Sequence, residues 1–138
     1  MKNTLFFLIL ATAFVSCEKD PGTGGAGKIS GTISKEIRVV LTSPNTFQYI
    51  VPAADVDVYI VYGEHVSPDD KVVTNYDGEF EFRNLRKGKY TIYVYSRDTT
   101  GQNPITIDPS KMVILEEVEL TDNEDHAVVP DLTIYDTP

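Results

Sequence analysis

The sequence has little with which to do covalent or redox chemistry. Its 138 residues include one cysteine, no tryptophan and two histidines. A lone cysteine cannot close an intrachain disulfide, so the folded part must hold by packing, which a chain of this length can do by burying roughly two-thirds of its unfolded surface. Positive charge is also scarce: 12 Lys and Arg stand against 21 Asp and Glu, a formal net charge of −9. That sign repels phosphate backbones, which argues against nucleic acid as a partner and against direct adhesion to an anionic membrane surface. The length argues against a two-domain enzyme. An uncharged run of apolar and small residues extends from Leu5 to Val15, short of the ~20 residues needed to cross ~30 Å of hydrocarbon as a helix.

What is present begins with an export pattern. Met1-Lys2-Asn3-Thr4 is a brief positive start, the apolar run follows, and small residues lead to Cys17; this is a secretory signal over residues 1–16. Phe14-Val15-Ser16-Cys17 resembles a lipobox, with Phe14 in place of the usual leucine. The resemblance implies cleavage after Ser16 and acyl chains, palmitate among them, on Cys17. Loss of Lys2 takes one positive charge from −9 and leaves −10. Glu18-Lys19-Asp20-Pro21 and the glycine-rich Gly22 to Gly27 come next. Such composition predicts a flexible tether over 17–27. Gly22 to Gly27 itself contains no lysine and opens no helical pattern, so it reads as linker and not as a phosphate loop. A cysteine followed by a short acid-containing stretch is similar to lipoproteins of Bacteroidetes-type bacteria, which implies the outer membrane and display at the cell surface.

From Lys28 to Pro138 the apolar residues recur at period two, not 3.6, and predict an all-β domain. Val56, Val58, Ile60 and Tyr62 share one face of a strand, with Asp55, Asp57 and Tyr59 on the other. Phe80 and Phe82 point inward from Glu79–Arg83. Tyr90, Ile92 and Val94 oppose Thr91, Tyr93 and Tyr95. Weaker strands are expected at 29–33, 37–41, 47–51, 71–74, 112–120 and 132–135. Asp77-Gly78 predicts a hairpin between Val72-Val73-Thr74 and Phe80-Glu81-Phe82, since both residues tolerate the positive φ of tight turns. Many short strands with regular turn signals predict two packed antiparallel sheets.

The stretch Val73 to Val94, with Asp77-Gly78, Phe80-x-Phe82, Leu85-x-x-Gly88-x-Tyr90 and an apolar strand, resembles the carboxypeptidase regulatory-like family. Ser30-Gly31-Thr32-Ile33 and Ala53 to Val58 resemble its other strands. The resemblance implies a prealbumin-like or Ig-like sandwich of about seven strands over residues 28–138. It also implies that Tyr90 returns its hydroxyl to backbone near Leu85, as a tyrosine corner does. Lys35 to Pro52 reads as a longer first connection or an added hairpin.

No catalytic constellation is visible. The peptidase activity of the enzymes that give the family its name belongs to a separate zinc domain, so no catalytic residue carries over. His65 and His126 lack His-x-x-Glu or His-Glu-x-x-His spacing and a cysteine pair to complete a zinc site; both are expected in loops or at strand edges. No Gly-x-Ser-x-Gly elbow occurs. Asp122 to Asp125, with Glu116, Glu117 and Glu119, reads as a solvated acidic region without calcium-loop spacing. No metal and no cofactor is expected. Tyr59, Tyr93 and Tyr95 form an exposed aromatic stripe if their strands are neighbours, and are the candidate ligand contacts. The expected function is a non-catalytic, lipid-anchored structural or protein-interaction module bound to the membrane through Cys17 and to an envelope protein or extracellular ligand. The alternative is a glycan- or peptide-binding module of an outer-membrane uptake or adhesion system.

Overall fold

The computed structural model describes residues 19–42, 45–97 and 111–136; the expected signal peptide over residues 1–16 and Cys17 lie outside them. These residues form nine strands: β1 Thr23–Thr42, β2 Asn45–Pro52, β3 Asp57–Tyr62, β4 Asp70–Val73, β5 Glu79–Leu85, β6 Gly88–Arg97, β7 Lys111–Leu120, β8 His126–Val128 and β9 Leu132–Asp136. Among the described residues no helix is long and apolar enough to cross a membrane.

The strands make two sheets, one built on β1 and one ordered β4-β3-β6-β7. The long β1 pairs antiparallel with β5 over its first half and with β2 over its second. β8 and β9 run parallel to it, Ile29 opposite Ala127 and Ile33 opposite Leu132. Only Val129-Pro130-Asp131 separates these two strands, too little chain to cross β1, so both lie on one flank and β5 and β2 follow one another along the other. The second sheet is wholly antiparallel. Period-two alternation sends Ile29, Ile33, Phe80, Phe82, Ile60 and Ile92 between the sheets, each 0–4% exposed; full burial of one such side chain contributes ~1.5–3 kcal/mol.

Two expectations change, and one pair of alternatives is decided. Nine strands stand where the resemblance implied about seven: 29–33 and 37–41 join in one continuous β1, and β8, three residues long and without a periodic signal, is added. The stretch Lys35 to Pro52 is the added hairpin, formed by the end of β1 with β2. Asp77-Gly78 does not close a hairpin: β4 and β5 belong to different sheets. The turn is a corner, with Asn75 Oδ1 accepting the Asp77 and Glu79 amides at 3.0 and 2.9 Å. Gly78, at φ 76°, also lets its carbonyl receive the Ile33 amide at 2.8 Å.

The largest correction concerns the tether. Residues 23–27 are the start of β1 and belong to the domain. Glycine is there for close approach, not for freedom: a Cβ on Gly25 would sit 2.0 Å from the Leu85 carbonyl oxygen. The Ala26 and Lys28 amides donate to Asn123 and Asp125 carbonyls at 2.7 and 2.9 Å. Composition could not separate a glycine stretch that is free from one pressed against backbone.

Candidate functional site

Two features stand on the same sheet, one structural and one open to solvent. The structural one is the corner at Tyr90, whose ring is 2% exposed. Its hydroxyl donates to the Arg86 carbonyl at 2.6 Å and accepts the Gly22 amide at 3.0 Å. Arg86 N–H in turn donates to the Gly22 carbonyl at 2.8 Å. The corner therefore fastens the entering chain to the β5–β6 turn, where Gly88, at φ 141°, passes the chain from one sheet to the other. Phe80 and Phe82 meet edge to face at 6.0 Å beneath, and Leu85, 1% exposed, closes the core at that end. Burial pushes the Tyr90 hydroxyl above its ordinary pKa, against the Gly22 bond and the nearby Arg86 charge.

The open feature is the outer face of β4-β3-β6-β7. Register places Lys71, Tyr59, Tyr93 and Leu115 in one row across all four strands, because residues i and i+2 share a face and antiparallel partners stand opposite. Tyr59 and Tyr93 stack at 5.1 Å with 13° between their planes. Tyr95 meets Tyr59 and Tyr93 edge to face at 5.6 and 5.7 Å, so the three candidate tyrosines form one cluster. Such pairs contribute ~0.5–1.5 kcal/mol each beyond burial. Lys71 Nζ sits 3.1 Å from Asp57 Oδ2 beside them. Burial first, then the neighbouring Tyr95 and Tyr59 hydroxyls, push Tyr93 up to about 12. Tyr93 is neutral at ordinary pH. Tyr95 and Leu115 remain 44% and 55% exposed.

Toward the β3–β4 loop the same face falls into a groove of about 530 Å³ lined by Glu64, His65, Lys89, Thr91, Glu117 and Glu119 among others. His65 Nδ1 is 2.7 Å from Asp69 Oδ1, and Asp69 Oδ2 accepts the Tyr62 amide at 2.7 Å. Burial raises the Asp69 carboxyl, but the Tyr62 amide and the His65 ring outweigh it and hold the pKa below the usual value. The pair orders the loop and leaves Nε2 as the imidazole's remaining nitrogen. Leu115 and the groove were missed from the sequence; outward Val113 and Leu115 on β7 were the available signal.

The remaining candidates have local partners. His126, on β8, has Nε2 2.9 Å from the Ser30 hydroxyl on β1. Asp125 Oδ2 accepts both the amide and the hydroxyl of Thr121, at 2.8 and 2.9 Å, and Asp122 caps the Glu124 amide at 2.8 Å. Among the described residues no three His, Cys, Asp or Glu side chains are grouped to hold a metal ion.

The model of the Y_Y_Y domain matches residues 61–110, less than half of the chain and including β6 with Tyr93 and Tyr95. The chain is also similar to the uridine kinase of Macrococcus caseolyticus, 30% identical over 126 residues, covering 83% of this chain and 58% of that protein. For the uridine kinase of Brevibacillus brevis the identity is 27% over 124 residues, with 81% and 56% covered. The chain thus spans less than two-thirds of these relatives' length. Among solved structures, a Pseudomonas aeruginosa protein regarded as a candidate carbohydrate binder superposes with a TM-score of 0.45 at 12% identity, over 83% of this chain and 91% of its own. Klebsiella pneumoniae 5-hydroxyisourate hydrolase gives 0.36 at 20%, over 77% and 87%. Scores this low say nothing about ligand or activity.

The kinase likeness directs attention to one more correction. The glycine stretch ends one residue before Lys28, so Gly22-x-x-x-x-Gly27-Lys28 does have the spacing of a phosphate-binding loop. Such a loop needs free backbone amides around the phosphates, a Ser or Thr after the lysine for magnesium, and a following helix. Here the Gly22, Ala26 and Lys28 amides are already bonded within the domain. The next residue is Ile29, fully buried, and the segment is a strand. The spacing is present without the geometry.

Proposed function

We propose that this chain is a non-catalytic lipoprotein of the bacterial outer membrane, anchored by acyl chains on Cys17. Its carboxypeptidase regulatory-like sandwich acts as a protein-interaction module through the outer face of β4-β3-β6-β7. The observation that carries the reading is the Tyr59–Tyr93 stack. Two rings packed face to face on neighbouring strands each spend one face on the other, and Tyr95 sets an edge contact on both. A sugar ring needs an open aromatic face, whereas a protein interface uses tyrosine as a rigid body with a polar tip. Exposed Leu115 and Tyr95 supply apolar area around it, and the Lys71–Asp57 pair forms part of a polar rim.

The experiment is site-specific photo-crosslinking of the processed protein in its own envelope, with the reactive side chain at Leu115 or, as control, at Val128 on the short β8. Both positions are exposed, at 55% and 70%. A discrete protein adduct from 115, absent from 128 and lost in Tyr59→Ala/Tyr93→Ala, supports the reading. Equal adducts from both positions, or none from 115, refute it. The groove with its three glutamates and Thr91 favours one second reading, a glycan or peptide ligand held by hydrogen bonds. Saturable binding of an oligosaccharide or short peptide that Glu117→Gln abolishes selects it.

A further inference from the structure

The chain enters the fold under constraint, and the constraint sets how far the domain can stand from an anchor at Cys17. Gly22 is buried and bonded twice at the corner, through its amide to Tyr90 and through its carbonyl to Arg86 N–H, and a Cβ on it would stand 3.3 Å from the Arg86 guanidinium. Pro21 lies against Gly63 and Gly88, since a Cβ on either would fall within 3.5 Å of its Cγ. The free length between lipid and domain is therefore not the eleven-residue tether of the sequence reading. From Cys17 to Pro21 there are four residue steps, which reach ~14 Å at full extension.

We infer that the end of the sandwich bearing the β3–β4, β5–β6 and β7–β8 turns rests on the phospholipid headgroup layer that holds the acyl chains. The inference relies on the lipid anchor proposed above and deepens it. All three turns stand where the chain enters: Gly63 N–H donates to the Lys89 carbonyl, and Asn123 Oδ1 accepts the Lys87 amide. The β3–β4 loop at this end carries Val66, which is fully exposed, an apolar side chain with nothing of the domain over it. Charges here are mixed, Arg86, Lys87 and Lys89 beside Glu64, Asp122 and Glu124, so the contact comes from chain length and not from attraction of the acidic domain to lipid. At the opposite end lie the β4–β5 corner, with Tyr76 91% exposed, and the β1–β2 hairpin.

The test uses the processed, acylated protein in phosphatidylcholine vesicles with a quencher on the lipid headgroup. Cys17 is the only cysteine of the sequence, and its sulfur is acylated, so Val66→Cys and Tyr76→Cys each offer one thiol for a fluorophore at an already exposed position. The ten residues of β6 span about 33 Å at the strand rise, beyond contact quenching, so the label at 66 is expected to be quenched at least about fivefold more than that at 76. Inserting a flexible Gly-Ser segment of about 15 residues after Lys19, which by linker statistics reaches ~20 Å or more, is expected to abolish the difference. Equal quenching at 66 and 76 in protein whose mass shows acyl chains, and which floats with the vesicles, overturns the orientation and leaves the anchor standing. A mature mass without acyl chains overturns both.

Discussion

Replacing Tyr90 by phenylalanine tests the corner at its smallest. The ring keeps its place in the core and its edge-to-face contact with Tyr62 at 5.7 Å, so no cavity opens and the change is confined to one oxygen. That oxygen joins the Arg86 carbonyl and the Gly22 amide at 2.6 and 3.0 Å. Two lost bonds cost ~1 kcal/mol each, and a buried group left without a partner carries a penalty of ~1–3 kcal/mol, so the total is ~3–5 kcal/mol. For a domain of about this size 1 kcal/mol corresponds to ~4–8 °C, which puts the fall in melting temperature at ~10–15 °C or more. Thermal unfolding followed by circular dichroism measures it, with Tyr93→Phe on the outer face as a control expected within ~0.5 kcal/mol of the parent. Hydrogen exchange adds the local reading: the Gly22 and Arg86 amides should exchange faster in Tyr90→Phe. A melting point within ~2 °C of the parent refutes the corner's energetic role. A large fall with both amides still protected refutes its role as a fastening of the entering chain.

Gly25→Ala forces a Cβ to within 2.0 Å of a backbone oxygen, so it should cost more than ~2 kcal/mol by overpacking; an unchanged melting point would restore the flexible tether. Phe80→Ala, at a site 4% exposed, should lose ~3–5 kcal/mol through burial and cavity, and a variant melting like the parent counts against the inward face of β5. Tyr93 ionises at about 12 in the fold and near 10.0 when unfolded, so the folded state keeps its proton longer; its contribution is full below pH 10 and is lost as pH rises toward 12. Melting temperature followed from pH 8 to 12 should fall more steeply in the parent than in Tyr93→Phe, and equal slopes contradict the shift. Magnesium-ATP and uridine should leave the melting point unchanged; saturable stabilisation that Lys28→Ala removes would reopen the phosphate-loop spacing as a real site.

Much of the fold was legible because alternation is a local signal. Tyr90, Ile92 and Val94 on one face and Tyr93 and Tyr95 on the other follow from period two alone, and the structure has that arrangement on β6. What alternation cannot tell is which strand a strand pairs with. Asp77-Gly78 reads as a hairpin because its turn chemistry is local, whereas the separation of β4 and β5 into different sheets is decided by the whole core. The tyrosine cluster was legible only conditionally, since it needed β3 and β6 to be neighbours with Tyr59 opposite Tyr93. Leu115 needed β7 on the far side of β6 as well. The glycine stretch was misread for the opposite reason: composition describes what a chain can do when free, and Gly22 to Gly27 is held by residues far along the chain, at Leu85, Tyr90 and Asn123.

The short entry and the tyrosine face bear on each other. Strands β3, β6 and β7 run between the turn-bearing end where the chain enters and the opposite end with Tyr76, so on the orientation proposed they stand along the membrane normal. Side chains leave a sheet roughly at right angles to its strands. Tyr59, Tyr93, Tyr95 and Leu115 then look sideways, parallel to the membrane plane, and the groove of Glu64, His65 and Glu119 lies on the same face closer to the headgroups. A surface so placed is poorly set to meet a ligand arriving from bulk solvent and well set to meet a neighbour in the same membrane. Confinement to the membrane raises the effective concentration of such a neighbour, so an intrinsically weak contact through a few tyrosines suffices. The proposed interaction and the proposed orientation are thereby linked in one measurable way: the extension after Lys19 that frees the domain from the headgroups should also weaken the crosslink from position 115, although it leaves every residue of the face in place.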